Sequence, residues 1–476
     1  MNGILYVIAS EAKQSGDYGR RSAKCANRAD KENTMGQVNR REFLKGSLGT
    51  AAVAAVLPQR QSRAANEKVI IGLMGCGGRG RQVAQMFAGR SDVEIAYLCD
   101  PDNRRSAQAQ KPIEQAQGKA PKIVQDFRRI LDDANVDALI NATPDHWHAL
   151  GTIMACQAGK DVYVEKPMAH NAWEGRKMIE AARKYKRVIQ VGMQTRSAQY
   201  AKDAAEQIRN GKLGDVHVVR VFNMMQHPMM KPGSVQPVPE GFDYDLWCGP
   251  APKLPYNPSR AWLNQWEYSC GPIAGDAIHQ LDFARMLIGN RPYPSTVSHT
   301  GSVYALKDGR EMPDTQLALY DYGDLTLVFE SALWTPYMKK IAQHTRDNDL
   351  FPDWPFCATR IEVLGTKGFM YAGRHGGGWQ IYDADDKVID HRYGRQGDKW
   401  HQDNFIQCIR TREKTNADVE QGHYSAMLCH LANISYLVGN RKLTLDPKTE
   451  TFIDAPDANK HLKRTYREPW VVPDEV

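Results

Sequence analysis

The sequence predicts an α/β fold: a doubly wound parallel sheet, then an α+β domain built on a large, mainly antiparallel sheet. Three observations predict it. From Lys68 onward, short and continuously apolar runs alternate with helical segments; a glycine-rich turn follows the first of these runs; and after about residue 190 the runs are separated by short turns instead of helices. Strands spaced by helices imply βαβ units and a parallel sheet covered on both faces. Strands joined by short turns pair antiparallel.

In order, Val69–Gly75, Val93–Asp100, Asp137–Ala142, Val162–Glu165 and Val188–Met193 read as buried strands, with helices at Arg79–Gly89, Asn103–Gly118, His146–Gly159 and Ala172–Tyr185 between them. These make a first domain over residues 67–190. A helix at Ala198–Asn210 leads to a strand at His217–Asn223, and a Pro-rich stretch with aromatic insertions runs from Pro228 to Pro258. A helix at Ala277–Ile288 precedes strands at Thr296–Leu306, Thr315–Tyr322 and Leu325–Leu333, then a pair at Arg360–Leu364 and Gly368–Ala372. Two late helices, His401–Arg412 and His423–Gly439, close a second domain over 191–455; Met427, Leu431, Ile434 and Val438 form an apolar stripe on the last. Residues 456–476 are expected to form a tail.

A chain of 476 residues, 42% hydrophobic and 25% charged, has material for more than one core, which argues against a largely disordered, collagen-like or disulfide-stapled protein. Its formal charge of +7 belongs to the N-terminus: residues 1–64 hold 11 of the 62 Lys+Arg and 5 of the 55 Asp+Glu, leaving 51 against 50 in the other 412. A near-neutral body gives no electrostatic footprint for nucleic acid. Within that leader, Asn39-Arg40-Arg41-Glu42-Phe43-Leu44-Lys45 precedes a weakly apolar run from Gly46 to Leu57 and small residues at Ser62 and Ala64. A basic region, a short apolar stretch and a small-x-small site make a secretory signal too short for a membrane span, and the paired arginines resemble a twin-arginine signal. Residues 35–64 are therefore expected to be the signal, cut after Ala64, and residues 1–34 a gene-model extension ahead of Met35. Delivery to the periplasm or another extracytoplasmic space by the twin-arginine export machinery, without a stable membrane anchor, follows.

Of nine cysteines, eight lie beyond the leader and none forms a Cys-x-x-Cys pair, which leaves zinc and redox motifs without support. No metal is expected. A twin-arginine route carries folded protein out of a reducing cytosol, so these thiols read as small core residues; a Cys248–Cys270 bridge stays open.

The first strand runs into Gly75-Cys76-Gly77-Gly78-Arg79-Gly80, a G-x-G-x-x-G in the strand-turn-helix context of a Rossmann-type domain. Gly75 permits the tight turn, Gly77 lets the backbone approach a pyrophosphate, and Gly80 lets helix pack on strand. The second strand ends at Asp100, 20 residues after Gly80, placed to accept from a ribose 2′-hydroxyl. Asp100 favours NAD; Arg104 and Arg105 nearby keep NADP open. Two further strand ends carry Thr143-Pro144-Asp145-His146-Trp147-His148 and Glu165-Lys166-Pro167, where ligands of such sheets bind. Helix-start residues and a solvated lysine are the bland alternatives.

The glycine motif, Asp100, Thr143–His148 and Glu165-Lys166-Pro167, in this order and followed by an α+β domain, resemble the glucose–fructose oxidoreductase, inositol dehydrogenase and rhizopine-catabolism family (Gfo/Idh/MocA) over about residues 67–445. The resemblance implies a nicotinamide-dependent enzyme acting on CH–OH groups of sugars, cyclitols or polyols, with substrate between the domains, Lys166 beside the nicotinamide, and the cofactor held by Gly75, Gly77, Gly78, Arg79, Gly80, Asp100, Thr143, Pro144, His146, Trp147, His148, Glu165 and Lys166. It also implies a dimer or tetramer formed through the open face of the second sheet.

The second domain offers Asp276 and His279, three apart at a helix start and hence on one face. They look like the family's catalytic Asp and His, although there the pair is more often four apart and Gly275 stands where that Asp would be. His279 is expected to be the base, oriented by Asp276, with Lys166 on the same substrate oxygen and able to exchange roles with it; Asp276 reads equally as a helix cap. Substrate contacts are expected from Gln194, Arg196, Arg260, Trp262, Trp266, His375 and Trp379. Export removes the soluble nicotinamide pool, which points to tightly bound NAD recycled within each turnover: either by oxidising one sugar and reducing another, or, as in NAD-dependent glycosidases, by transient oxidation that drives elimination. A catalytically silent sugar-binding homologue is the non-enzymatic alternative.

Overall fold

Six short runs, β1 (Val69–Met74), β2 (Val93–Cys99), β3 (Lys122–Val124), β4 (Ala138–Asn141), β5 (Asp161–Val164) and β6 (Ile189–Val191), pair in parallel in the order β3-β2-β1-β4-β5-β6. Every residue of β4 and β5 is buried, as a sheet covered on both faces requires. The covering helices include α1 (Gly78–Ala88), α2 (Asn103–Gln117), α3 (Asp145–Gln157) and α4 (Ala172–Lys184). Asp102 and Asn171 cap α2 and α4 by accepting from the Arg104 and Glu174 amides, each worth about 1 kcal/mol. The strand order reverses between β1 and β4, which opens a crevice at their carboxyl ends. These coordinates are a computed structural model and describe residues 67–231, 233–259 and 262–476; the signal and the extension before it, and Arg260, lie outside the described residues.

The second sheet has ten strands in the order β14-β13-β12-β11-β7-β10-β9-β8-β15-β16. They are β7 (Val216–Met224), β8 (Thr296–Ser302), β9 (Thr315–Asp321), β10 (Thr326–Ala332), β11 (Arg360–Gly365), β12 (Phe369–Gly373), β13 (Trp379–Tyr382), β14 (Val388–Arg392), β15 (Leu443–Asp446) and β16 (Thr451–Phe452). β7 and β10 are parallel and the other neighbours antiparallel. In β9 buried residues alternate with half-buried or exposed ones, Gln316, Ala318 and Tyr320 pointing inward and Leu317 and Leu319 outward, so one face is covered and the other open. Helices α5 (Gln199–Arg209), α6 (Ile278–Leu287) and α8 (Val419–Leu437) lie on the covered side.

Helix α7 (Asp398–Thr411) returns to the first domain, where Phe405 meets Phe87 and Tyr163 edge-on. Residues 456–476 also return there: Trp470 packs against Phe127 and Trp147, and Val472 and Val476 are buried. The eight cysteines of the described residues are buried and free, so the Cys248–Cys270 bridge is not formed. Each thiol faces its own neighbours: Cys248 Sγ lies 3.7 Å from the Tyr268 hydroxyl and Cys270 Sγ donates to the Ala169 carbonyl, and burial raises both thiols above their ordinary range. Among the described residues no helix is long and apolar enough to cross a membrane.

Candidate active site

The crevice begins where β1 turns into α1. Gly75 has φ +95°, and a Cβ there would lie 2.6 Å from the Ala142 carbonyl oxygen; one on Gly80 would lie 1.9 Å from that of Gly75, so both positions require glycine. At Gly77 the nearest atom to such a Cβ is Arg105 Nη1 at 3.4 Å, and at Gly78 nothing lies within 4 Å. That open space is a cradle for a ligand. Gly77 caps α1 without a side chain, leaving first-turn amides to face an anion. Asp100 clamps the loop: Oδ2 accepts from the Cys76 amide and Oδ1 from the Asp102 amide, both at 2.9 Å. Burial raises its carboxyl, and the residue lines the cavity with lone pairs to spare beyond these two bonds. Arg104 is engaged by Asp102 through Nε and Nη2, an arrangement that suits NAD better than a 2′-phosphate.

A cavity of about 730 Å³ runs from Asp100 past the glycine loop, Thr143, Pro144, Trp147 and His148 to Glu165, Lys166 and Gly275. Its volume and its cradle fit a dinucleotide. Its outer wall comes from the Pro-rich stretch and the residues just after it, where Tyr244, Trp247, Tyr256 and Trp262 line it. This strap is tied to the first domain by hydrogen bonds from Asp243 N to the Pro101 carbonyl (2.9 Å), Asn103 N to that of Gly241 (3.1 Å) and Trp147 Nε1 to that of Leu246 (3.1 Å). His146 belongs to the same tie. Its Nε2 lies 2.9 Å from the Trp247 carbonyl and its Nδ1 3.3 Å from that of Tyr268, so it holds the strap and does not line the cavity. His148 lines it, with its ring between the Thr143 and Pro167 carbonyls.

At the inner end Arg79 Nε donates to Glu165 at 2.8 Å, and Arg79 also lies 3.6 Å from Asp398. Burial alone would raise the Glu165 carboxyl, but Arg79 and Lys166 outweigh it and hold it below its usual value. Lys166 Nζ donates to the Gly275 carbonyl. Gly275 and Asp276 sit in a π-helical turn, Ile273–Ala277, that leads into α6. Asp276 therefore is not a helix cap, and its partners are Arg374 (2.8 Å) and Lys340 (3.3 Å) instead of His279. Burial opposes its charge, yet Arg374, Lys340 and Lys166 keep the carboxyl far below its ordinary range. His279 is buried, its ring edge-on to His375 at 4.5 Å, with no hydrogen-bond partner for Nδ1 among the described residues. Burial first, then Arg374, His375 and Lys166, press the imidazole well below its usual value.

The remaining expected substrate contacts divide. Gln194 bonds Tyr163 (3.1 Å), and with its amide turned it accepts from Arg79, which puts it behind the cofactor site. Arg196 forms a buried pair with Asp282 at 2.8 Å and bonds Asn290; it holds α6 and does not reach the cavity. Trp266 packs on Tyr436, and its carbonyl faces His170 Nε2, while Trp379 is core. Trp262 lines the cavity and His375 touches His279. Sequence reasoning missed Arg374, beside the flagged His375, and Lys340 and Arg346 from the excursion between β10 and β11. An unexplained arginine inside a glycine-rich hairpin loop was the available signal for the first; nothing local marked the other two.

Comparison with known proteins accords with this geometry. The model of the oxidoreductase family with NAD-binding Rossmann fold, Gfo/Idh/MocA, matches residues 69–193, that of its C-terminal alpha/beta domain matches 225–300 and 365–472, and a twin-arginine translocation signal sequence matches 37–56. An uncharacterized oxidoreductase of Streptococcus pneumoniae serotype 4 is 25% identical over 264 residues, 53% of this chain and 62% of that protein. A glycosyl hydrolase family 109 protein of Stenotrophomonas maltophilia is 35% identical over 137 residues, 28% of this chain and 30% of that protein. These matches thus span less than two thirds of either relative. The WlbA dehydrogenase of Bordetella pertussis, solved with NADH and UDP-GlcNAcA, superposes with a TM-score of 0.59 at 21% identity, covering 80% of this chain and 99% of that one, a likeness of fold. With both family domains matched in order, a glycine cradle closed by Asp100 and Lys166 at the inner end of the cleft, the chain belongs to the Gfo/Idh/MocA oxidoreductase family, with an NAD-binding Rossmann domain behind a twin-arginine signal sequence.

Proposed function

We propose that this chain is an exported NAD-dependent oxidoreductase that acts at a secondary hydroxyl of a sugar, cyclitol or glycoside and keeps its NAD in the cleft. One observation carries the reading: the dinucleotide cradle and Lys166 share a single cavity, and Lys166 touches the turn that leads to His279. NAD, when bound, takes a hydride from a carbinol carbon or returns it. The chain must then handle the hydroxyl proton. Burial and the cations around it hold His279 neutral, which leaves an imidazole nitrogen open to that proton but makes the ring a weaker base than a free histidine. Lys166 has further N–H donors for the same oxygen beyond the one spent on Gly275, and the two residues can exchange roles. Asp276 stays ionised between Arg374 and Lys340 and fixes the turn that carries Gly275.

The aromatic strap supports a second reading. A cofactor enclosed by chain is suited to recycling within each turnover, and the Stenotrophomonas relative is a glycosyl hydrolase. Transient oxidation of a sugar acidifies the neighbouring C–H, so a base can take that proton and the aglycone leave with a proton; water then adds to the unsaturated ketone and the hydride is returned to its carbonyl. Mass spectrometry of the denatured mature protein would detect retained NAD. The native protein is then given free sugars and aryl glycosides without added cofactor. Reduction of bound NAD by free sugars selects the dehydrogenase, and aglycone release selects the glycosidase. NAD left untouched by every sugar selects a binding-only homologue, and a chain that neither carries nor binds NAD overturns all of these.

A further inference from the structure

Beyond Lys166 three segments far apart in sequence meet around Asp276: its own π-helical turn, the β12–β13 hairpin loop with Arg374 and His375, and the excursion between β10 and β11 with Lys340 and Arg346. The hairpin loop is fixed from inside, because the Tyr200 hydroxyl donates to the Gly373 carbonyl (2.8 Å) and accepts from the Gly376 amide (2.9 Å). Arg346 packs on this loop; a Cβ on Gly376 would lie 3.1–3.3 Å from its Cα, Cβ and Cγ.

The charges here do not balance. Lys166, Lys340, Arg346 and Arg374 surround one carboxylate, Asp276. Including Arg79 with its partners Glu165 and Asp398 gives five fixed cations against three carboxylates. Asp276 is already paired twice. Arg346 spends Nε on the Ile341 carbonyl (2.8 Å), and among the described residues no carboxylate pairs with it. Arg374 Nε has no partner although the residue is only 9% exposed. Burial, then the neighbouring Arg374, push the Arg346 guanidinium below its ordinary value. Lys340 keeps 45% of its side chain in water, but leaving the buried Arg374 donor idle beside further cations gains the protein nothing, whereas an incoming oxyanion would satisfy it, and guanidinium groups match carboxylate, sulfate and phosphate geometry.

We propose that this cluster is an oxyanion subsite and that the substrate is an acidic sugar, its anionic group held by Arg374, Arg346 and Lys340 while the reacting hydroxyl lies at Lys166 and His279. The proposal rests on the reading of the cleft as a sugar oxidoreductase, but its test is a separate one. The NAD-loaded mature protein is titrated calorimetrically with methyl glucuronide, glucose 6-sulfate and glucose 6-phosphate, and with methyl glucoside and glucose as neutral parents. At least one acidic sugar is expected to bind about tenfold tighter than its parent or better, a margin that narrows as salt rises and falls to about twofold or less in Arg346→Gln. Which acidic sugar gains identifies the carboxylate, sulfate or phosphate. Arg374→Gln is the second variant and also loses the tie to Asp276; Arg346→Gln, with no carboxylate partner to strand, keeps the test open if that one does not fold. Neutral parents binding as well as every acidic sugar, no acidic sugar binding at millimolar concentration, or a margin that survives Arg346→Gln each overturn the subsite. Reduction of bound NAD by neutral sugars without acidic preference removes the subsite and leaves the oxidoreductase. Acidic binding with no reduction by any sugar does the reverse.

Discussion

Lys166 spends one N–H on the Gly275 carbonyl, and its neighbour Glu165 is committed to Arg79; the proposed chemistry uses its remaining donors on a substrate oxygen. Lys166→Ala is expected to lower kcat by about 10²–10⁴-fold with the NAD content of the purified protein unchanged, and full activity in that variant would remove Lys166 from the chemistry. Arg196 looked from sequence like a substrate contact and is instead one half of a buried pair whose exposures are 5% and 1%. Removing one partner strands the other's charge, so Asp282→Ala should cost about 3–5 kcal/mol in denaturant unfolding. A loss under about 1 kcal/mol would mean that the pair is replaceable by solvent. The same comparison separates the residues that were legible from those that were not. Gly75, Gly80, Asp100 and Lys166 lie within a few residues of their own strand ends, so local spacing places them at the cleft. Arg374, Lys340 and Arg346 act on a turn 60–100 positions away, and nothing local announces that.

At the scale of elements, the strap forms the outer wall of the cleft. Residues 241–259 and 262–268 contribute an aromatic cluster, Trp247 stacked on Tyr244 and edge-on to Tyr268, that lines the cofactor cavity and is pinned by Trp147 and His146. Trp247→Ala is expected to speed NAD release about tenfold or more, followed by fluorescence of displaced cofactor, while the first domain keeps its fold; an unchanged release rate would show that the strap does not hold the cofactor. The Pro-rich composition of this stretch was visible in the sequence, but its partner was not, because aromatic residues without periodicity carry no direction. Strand β3 has only three residues, Lys122–Val124, and none is fully buried; β14 has no fully buried residue either. Neither shows the apolar run or the alternation by which strands are read. Their places come from hydrogen bonding to β2 and β13.

Across the whole molecule, several histidines are buried and held neutral. Desolvation takes His146 and His430 down to about 3 and His401 to about 4, and His279 and His375 well below their usual value. Their unfolded counterparts titrate near about 6.5. Above that pH both states are neutral and these groups add no pH dependence; as pH falls through about 6.5 toward 3–4 the unfolded chain binds protons that the folded one refuses, and stability is lost. Melting temperature should therefore fall with acid from about pH 6.5, and a profile flat to pH 4 would contradict their burial. The twin-arginine signal sequence at residues 37–56 suggests export, and if the paired arginines direct it, Arg40→Lys with Arg41→Lys should retain the protein in the cytosol, read by fractionation, with activity unaltered.

What the sequence determined by itself was whatever depends on neighbours along the chain: the βαβ alternation of the first domain, the glycine turn, the carboxylate after β2, the lysine after β5 and the basic leader that holds most of the charge. Each is a backbone requirement or a short-range spacing, and such constraints are written locally. The tertiary structure decided the rest. It turned His146 toward the strap, gave Asp276 to Arg374 and Lys340 instead of His279, buried Arg196 on Asp282 and gathered uncompensated cations beside Lys166. Electrostatic partnership falls off with distance in space, and distance in space between π-turn, hairpin and excursion is set only once both sheets have packed.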